Sequence, residues 1–294
     1  MNKKINVLSL FDGISVAQLA LNQLGVEIEN YFASEIDPNP IKVTNFHFPE
    51  TKHLGDVRNI KGEKLPEIDL MVFGFPCVDL SSLNKNRLGL DGEKSGLFFE
   101  ALRIMEEVKP KYFLMENVGS MDGKNRDIIS GLLGVKPIYI NSKLVSAQNR
   151  KRIYWTNIPN IKAPKDQNIF LQDILENGFA DRKKSNCILT KNVPLTKSGI
   201  NRYLKKSIGQ IVFLNQKNSE SPKKENIRNL NLLDVDKENL KAFYRRATTL
   251  ELERLQTLPI GYVGDILKKT PANHAIGNSF TLEVIKHLLS FASF

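Results

Sequence analysis

Residues 5–25, INVLSLFDGISVAQLALNQLG, run from an apolar stretch through a short turn at Gly13 into a helix-compatible stretch. Gly13 permits a backbone geometry or close approach that a side chain would obstruct, and the helix after it offers unpaired backbone donors. Taken alone, this is an ordinary strand-to-helix turn. It matches the dinucleotide-binding fingerprint poorly, because Ser15 and Val16 stand where further glycines are expected. Repetition of the unit decides the reading. NYFASEI (30–36), DLMVFGF (69–75), KYFLMENV (111–118), PIYINSKLV (137–145) and RIYWTNI (152–158) are short apolar runs rich in β-branched and aromatic residues. Between them, in GLFFEALRIMEEVKP (96–110), Leu97, Ala101, Ile104, Met105 and Val108 recur at helical spacing before Pro110 stops the element. Alternation of strand and helix predicts an α/β fold with a mostly parallel sheet covered on both faces. Functional residues are then expected where loops leave the carboxyl ends of strands.

A chain of 294 residues can form one extended α/β domain or a domain plus a smaller lobe. Hydrophobic residues at 41% and charged residues at 25% fit a soluble globular protein. MNKKINVLSLFDG has too short an apolar run and too early an acidic residue for a secretory signal, and no window approaches a membrane span. Two cysteines far apart argue against a disulfide framework or a cysteine zinc site, so a reducing, cytosolic setting is expected. The net charge of +10 favours polyanionic partners, although Lys-rich and Asn-rich chains also arise in AT-rich genomes.

The texture changes after NIPNIKAPKD (157–166). Basic and amide residues accumulate in DRKKSN (181–186), NRYLKKS (201–207) and NQKNSESPKKENIRN (215–229), while Ile211, Val212, Phe213, Leu214 and LNLLDV (230–235) indicate some folded structure. This reads as a small second lobe. Regular organisation returns in TTLELERLQTLPIGY (248–262), where Thr248 or Thr249 could cap a helix containing Leu250, Leu252 and Leu255. SFTLEVIKHLLSFASF (279–294) reads as an amphipathic helix packing back on the core. The expected division is a catalytic and cofactor-binding region over 1–160, a lobe over 161–241, and a returning segment over 242–294.

Several residues have chemistry suited to a site. Glu35, after the second strand, could accept hydrogen bonds from both hydroxyls of a ribose; Ile36 could pack on an adenine face, and Asp56 in LGDVRNI could accept from an exocyclic amine. Each alone reads as a solvent-exposed loop residue, and their recurrence in successive units is what favours a nucleoside cofactor. Cys77 follows Pro76 and precedes a polar loop, and a reactive thiolate there needs nearby positive charge. QNRKRIYW supplies Arg150 and Arg152, which can face one way if that segment is extended. Glu116 and Asn117 end an apolar run: the carboxyl could exchange a proton with a polar heterocycle, or simply cap a helix, and Asn117 could hold the loop. The histidines form no convincing base or metal cluster, and His274 precedes a glycine turn.

FDGISVAQLAL, GFPCVDLSS, MENVGSM, QNRKRIYW, TTLELERLQTLPIGY and AIGNSF together resemble, in order, the motif series of the DNA cytosine-5 methyltransferases. DVRNI and the stretches 76–100 and 144–159 are similar to the de novo eukaryotic branch. The family's first motif usually has a further glycine where Ser15 or Val16 stands. The resemblance implies a Rossmann-like methyltransferase fold and S-adenosylmethionine as cofactor, with no metal. It assigns Phe11, Gly13, Glu35, Ile36, Asp56, Val57, Pro76, Asn278 and Ser279 to the cofactor site. Cys77 is the implied nucleophile, Glu116 engages N3 and the amino edge of the cytosine, and Arg150 and Arg152 position base or backbone. Ser81, Ser82, Asn84, Lys85 and Arg87 are implied DNA contacts on a loop able to move at Gly89, Gly92 and Gly96. The 161–241 lobe becomes a target-recognition region, with Arg182, Lys183, Lys184, Arg202, Lys205 and Lys206 as candidate contacts. The implied partner is double-stranded DNA, with a cognate restriction endonuclease as a candidate second partner, and a cytoplasmic, DNA-associated monomer is expected. Two alternatives stand beside this. One is a related enzyme acting on cytosine in tRNA, against which the chain lacks a CFT tripeptide; the other is an inactive DNA-binding homologue.

Overall fold

The computed structural model describes residues 4–76, 80, 90, 92, 96–190, 192–214 and 241–294. Packing divides them into two compact units. The first lies within Met1–Asn141, Lys151–Pro164 and Leu282–Phe294, and the second within Ser142–Arg150 and Lys165–Thr281.

The first unit is built on β1 (Ile5–Leu10), β2 (Ile28–Ser34), β3 (Lys52–His53), β4 (Leu70–Phe73), β5 (Tyr112–Val118), β6 (Ile138–Asn141) and β7 (Lys151–Thr156). Their order among the described residues is β3-β2-β1-β4-β5-β7-β6. The run from β3 to β5 is parallel, and β7 is antiparallel to both β5 and β6. All four residues of β4 are fully buried, as expected of a central strand covered on both faces. The apolar run 137–145 stops being a strand at Asn141, because Ser142–Leu144 form a 3-10 turn.

Helices of this unit are α1 (Val16–Gln23), α2 (Pro38–His47), α3 (Leu97–Val108), α4 (Gly123–Leu133) and, at the chain's end, α9 (Leu282–Leu289). Phe98, Ala101 and Ile104 of α3, with Ile129 and Leu133 of α4, join Leu8, Met71, Phe73 and Trp155 in one core cluster. Full burial of each such large side chain is worth about 1.5–3 kcal/mol. The final segment forms the expected amphipathic helix: α9 buries Val284, Ile285, Leu288 and Leu289 and packs on α1.

The second unit holds α5 (Leu171–Ile174), α6 (Lys197–Lys206), β8 (Ile211–Phe213), β9 (Tyr244–Arg246), α7 (Thr249–Leu255) and α8 (Lys269–Asn278). β8 and β9 pair antiparallel. Val193, Ile200, Tyr203, Ile211, Phe213 and Tyr244 form its apolar cluster. Thr248 is the cap of α7. Its hydroxyl accepts from the Glu251 N–H while the Glu251 carboxylate accepts from the Thr248 N–H, a reciprocal capping box. The glycine turn expected after His274 is instead helical through Asn278. Gly277 suits the close approach there, because a Cβ would stand 3.0 Å from the Leu189 carbonyl oxygen.

Candidate active site

In the first unit the candidate residues follow the carboxyl ends of parallel strands, where an open α/β sheet places its crevice. The turn after β1 has Phe11, Gly13 and Ser15 at φ 55°, 61° and 54°. Glycine reaches this left-handed region freely, but Phe11 and Ser15 each carry a conformational cost of about 1–3 kcal/mol. Glu35, just past β2, closes on the turn. Its Oε2 accepts from the Gly13 N–H at 3.0 Å, and its Oε1 accepts from the N–H groups of Ile36 at 2.8 Å and Asp37 at 2.9 Å. An ionised carboxylate has about four acceptor positions, so capacity remains for a sugar hydroxyl. Ile36 beside it is 70% exposed, an apolar surface suited to a planar ring. Val57 is buried, and Asp56 caps the 3-10 turn Val57–Asn59. Hydrogen bonds from Arg58, including its Nε at 3.0 Å, hold the Asp56 carboxyl down to about 2. The remaining acceptor position on Glu35 and the exposed Ile36 surface therefore fit the adenosyl part of the expected cofactor.

At the end of β5, strand register builds a charged pair. Glu116 lies opposite Tyr154 and Val118 opposite Arg152, so Glu116 and Arg152 are diagonal neighbours on one face of the antiparallel β5–β7 ladder. Arg152 Nε meets Glu116 Oε1 at 2.6 Å, with each side chain only 13% exposed. The buried Asn117 turns the other way. Its Nδ2 donates to the Phe75 carbonyl at 3.3 Å and its Oδ1 accepts from the Val118 N–H at 2.8 Å, so it holds the backbone just before Pro76. Cys77, Ser81, Ser82, Asn84, Lys85, Arg87 and Gly89 lie outside the described residues, as does the run 230–235.

Arg150 precedes β7, so it does not alternate with Arg152 along one strand. It is buried within the second unit, where its guanidinium donates to the carbonyls of Gly277 at 3.3 Å and Ser279 at 2.9 Å. A cation at those carbonyls suits the carboxyl end of α8. Gln256 donates to the Ile276 and Ser279 carbonyls at 3.0 Å each, and Gln148 donates to Gln256 Oε1 at 3.0 Å. The Asn278–Ser279 segment is thereby pinned by three buried side chains from two distant stretches.

The family model of the C-5 cytosine-specific DNA methylases matches residues 5–291. The chain belongs to this family. The type II methyltransferase M.NgoBV of Neisseria gonorrhoeae is 30% identical to it over 202 residues, 60% of this chain and 48% of that one. M.Bsp6I of Bacillus sp. (strain RFL6) is 34% identical over 176 residues, 56% of this chain and 55% of that one. The chain spans about half the length of the curated relatives it matches. In fold, the S. pombe Dnmt2 methyltransferase structure superposes with a TM-score of 0.71 over 98% of each chain at 17% identity. The Rossmann-like α/β sheet with its smaller second sheet is the family's fold.

The basic residues of the second unit divide by their partners. Arg182 pairs with the buried Asp181 at 2.7 Å, donates to Asn186 at 2.8 Å and stacks over the Tyr203 ring. Lys184 donates to the carbonyls of Lys143, Ser146 and Ile169 at 2.6–3.1 Å, and burial pulls its pKa below the usual lysine range. Arg202, Lys205 and Lys206 are exposed on α6, at spacing that puts them on one face, with Tyr203 turned inward. Among the described residues no cluster of three or more His, Cys, Asp or Glu could hold a metal, and no helix is long and apolar enough to cross a membrane.

Sequence reasoning missed Asp12, whose only signal is an acid directly after an apolar strand. It is buried, and burial pushes its carboxyl up to about 6, opposed by hydrogen bonds from Ser15, Ser9 and Tyr31 and reinforced by the Glu35 charge. The raised value means that the folded state holds this proton where the unfolded chain, at about 3.8, has lost it. Stability from the neutral form is complete below about pH 4 and is lost as pH rises through 6, by about 3 kcal/mol in all. Thermal melts from pH 4 to 7.5 should show this slope in the native protein and a flatter one in Asp12→Asn. Equal slopes would reject the assignment.

Proposed function

We propose that this protein transfers a methyl group from S-adenosylmethionine to carbon 5 of a cytosine flipped out of double-stranded DNA, through a covalent adduct with Cys77. The observation that carries the reading is the Glu116–Arg152 pair at the end of β5, next to Asn117, whose side chain holds the backbone two residues before Cys77. The cofactor would supply an electrophilic methyl group on its sulfonium, whose S–CH3 bond would break to leave S-adenosylhomocysteine.

Carbon 5 of cytosine is a poor nucleophile. The Cys77 thiolate therefore adds to carbon 6, forming a C–S bond and shifting the ring electron pair toward carbon 5. Glu116, oriented by Arg152, engages N3 and the amino edge and stabilises the charge that develops there. After carbon 5 takes the methyl group, it loses its proton to a base or bound water. The electron pair returns, expelling Cys77 and restoring the aromatic ring. Flipping the base requires unstacking, at a few kcal/mol. Arg150 serves by fixing the Asn278–Ser279 segment, which the family resemblance assigns to the cofactor.

DNA contacts are assigned to Ser81, Ser82, Asn84, Lys85 and Arg87 of the loop after Cys77, and in the target-recognition region to Lys183, Arg202, Lys205 and Lys206. Arg182 and Lys184 support that region from inside. Removing charge at both Lys205 and Lys206 should weaken DNA binding and lower the slope of log affinity against log salt by about two, roughly 0.9 for each phosphate that is no longer neutralised. Fluorescence anisotropy at several salt concentrations checks this, and unchanged slopes would reject the assignment of these two lysines to phosphates. The protein is assigned as a cytoplasmic, DNA-associated monomer without a metal, with a cognate restriction endonuclease as candidate partner.

A methyl-transfer assay offering DNA and tRNA separately tests the substrate. Transfer to DNA alone is expected, and exclusive tRNA modification would overturn the assignment. Covalent trapping on DNA containing 5-fluorocytosine tests the adduct, and its absence would favour an inactive DNA-binding homologue.

A further inference from the structure

We infer that Asp12, Ser15 and Thr44 form a side-chain lock that sets the cofactor turn, achieving through hydrogen bonds what the family's additional glycine achieves through conformational freedom. The inference rests on the cofactor reading proposed for this turn. The family's first motif usually has a further glycine where Ser15 or Val16 stands, and Ser15 adopts the backbone that glycine favours, φ 54° and ψ 40°. Its side chain is fully buried. The Ser15 hydroxyl donates to Asp12 Oδ2 and shares a hydrogen bond of 2.9 Å with Thr44 Oγ1 of α2. The other Asp12 oxygen accepts from the Tyr31 hydroxyl of β2 at 2.8 Å, and the Asp12 N–H donates to the Ser34 carbonyl at 3.0 Å.

These bonds tie the turn to a neighbouring strand and a neighbouring helix at once. Gly13 sits between Asp12 and Ser15 in sequence, and its N–H orients Glu35. A turn that relaxes at Ser15 therefore moves both Gly13 and the carboxylate assigned to the ribose. Asp12, Ser15 and Thr44 act through those groups and are positioning residues. An alanine at position 15 keeps the unfavourable backbone requirement and loses the hydroxyl. A glycine loses the hydroxyl but adopts the same backbone without strain.

The test is equilibrium titration of S-adenosylmethionine into the purified full chain by calorimetry, without DNA, alongside thermal melts of the unliganded proteins. Ser15→Ala should bind the cofactor about tenfold more weakly, the scale of one missing hydrogen bond, while Ser15→Gly stays within about threefold of the native protein. Thr44→Val should fall between them and stands in for Ser15→Ala if that variant does not fold. A purely structural role would lower melting temperatures and leave the dissociation constants of the folded variants unchanged, which overturns the lock. Equal affinity of Ser15→Ala and native protein overturns it as well. Failure of the native protein to bind S-adenosylmethionine would instead remove the cofactor reading, and the lock with it.

Discussion

Replacing Cys77 with serine is expected to abolish methyl transfer, by at least about a thousandfold or roughly 4 kcal/mol of transition-state stabilisation, while most DNA affinity survives. The reasoning is chemical. Addition to carbon 6 needs an anionic sulfur, and a serine hydroxyl is ionised far less and makes a poorer nucleophile toward that carbon. Neither polar side chain at the end of β5 replaces it, because a carboxylate and an amide are far weaker nucleophiles toward that carbon than a thiolate. DNA affinity should survive because it arises largely from cationic groups beside phosphates, which the substitution leaves intact. Incorporation of labelled methyl groups measures the first effect and anisotropy the second. Trapping on 5-fluorocytosine DNA should disappear in parallel. Normal methylation by a verified pure variant would sink the nucleophile assignment.

The parallel part of the sheet was legible because its strands and helices alternate with clear periods, and β4 reads as an uninterrupted apolar run buried on both faces. The reversal of β7 was not, since RIYWTNI carries the same apolar pattern in either direction. Arg150 and Arg152 show the consequence. Their alternate spacing suggested one shared face, yet β7 begins at Lys151, and the Arg150 guanidinium is spent on the carbonyls of Gly277 and Ser279. Such a partner lies 127 or more positions away and leaves no local signal. The same holds for Ser15 and Thr44, joined across 29 positions. Thr248 was recoverable, because Glu251 three residues on completes a capping box from within one short stretch.

Glu116→Gln should lower transfer by about 10²–10⁴, the range for losing a positioned general acid or base, with DNA affinity within a few-fold of native. The register of β5 and β7 makes this substitution informative. Glutamine has the same length, and its carbonyl can still accept from Arg152 Nε, so the diagonal pairing at 2.6 Å retains its geometry without its charge. Removing the side chain outright would strip a largely buried guanidinium of its carboxylate, a change worth about 3–5 kcal/mol that would confuse folding with chemistry. Melting temperature, DNA affinity and single-turnover rate therefore have to be measured on the same preparation. A rate that falls while the other two hold assigns Glu116 to the reacting cytosine. An unchanged rate would reduce it to the partner that keeps Arg152 in place, and the charge developing at N3 would then have to be stabilised by another group. Glu116→Asp separates charge from reach: it keeps the anion but withdraws it by one methylene, so it should recover the Arg152 pair more fully than the transfer rate.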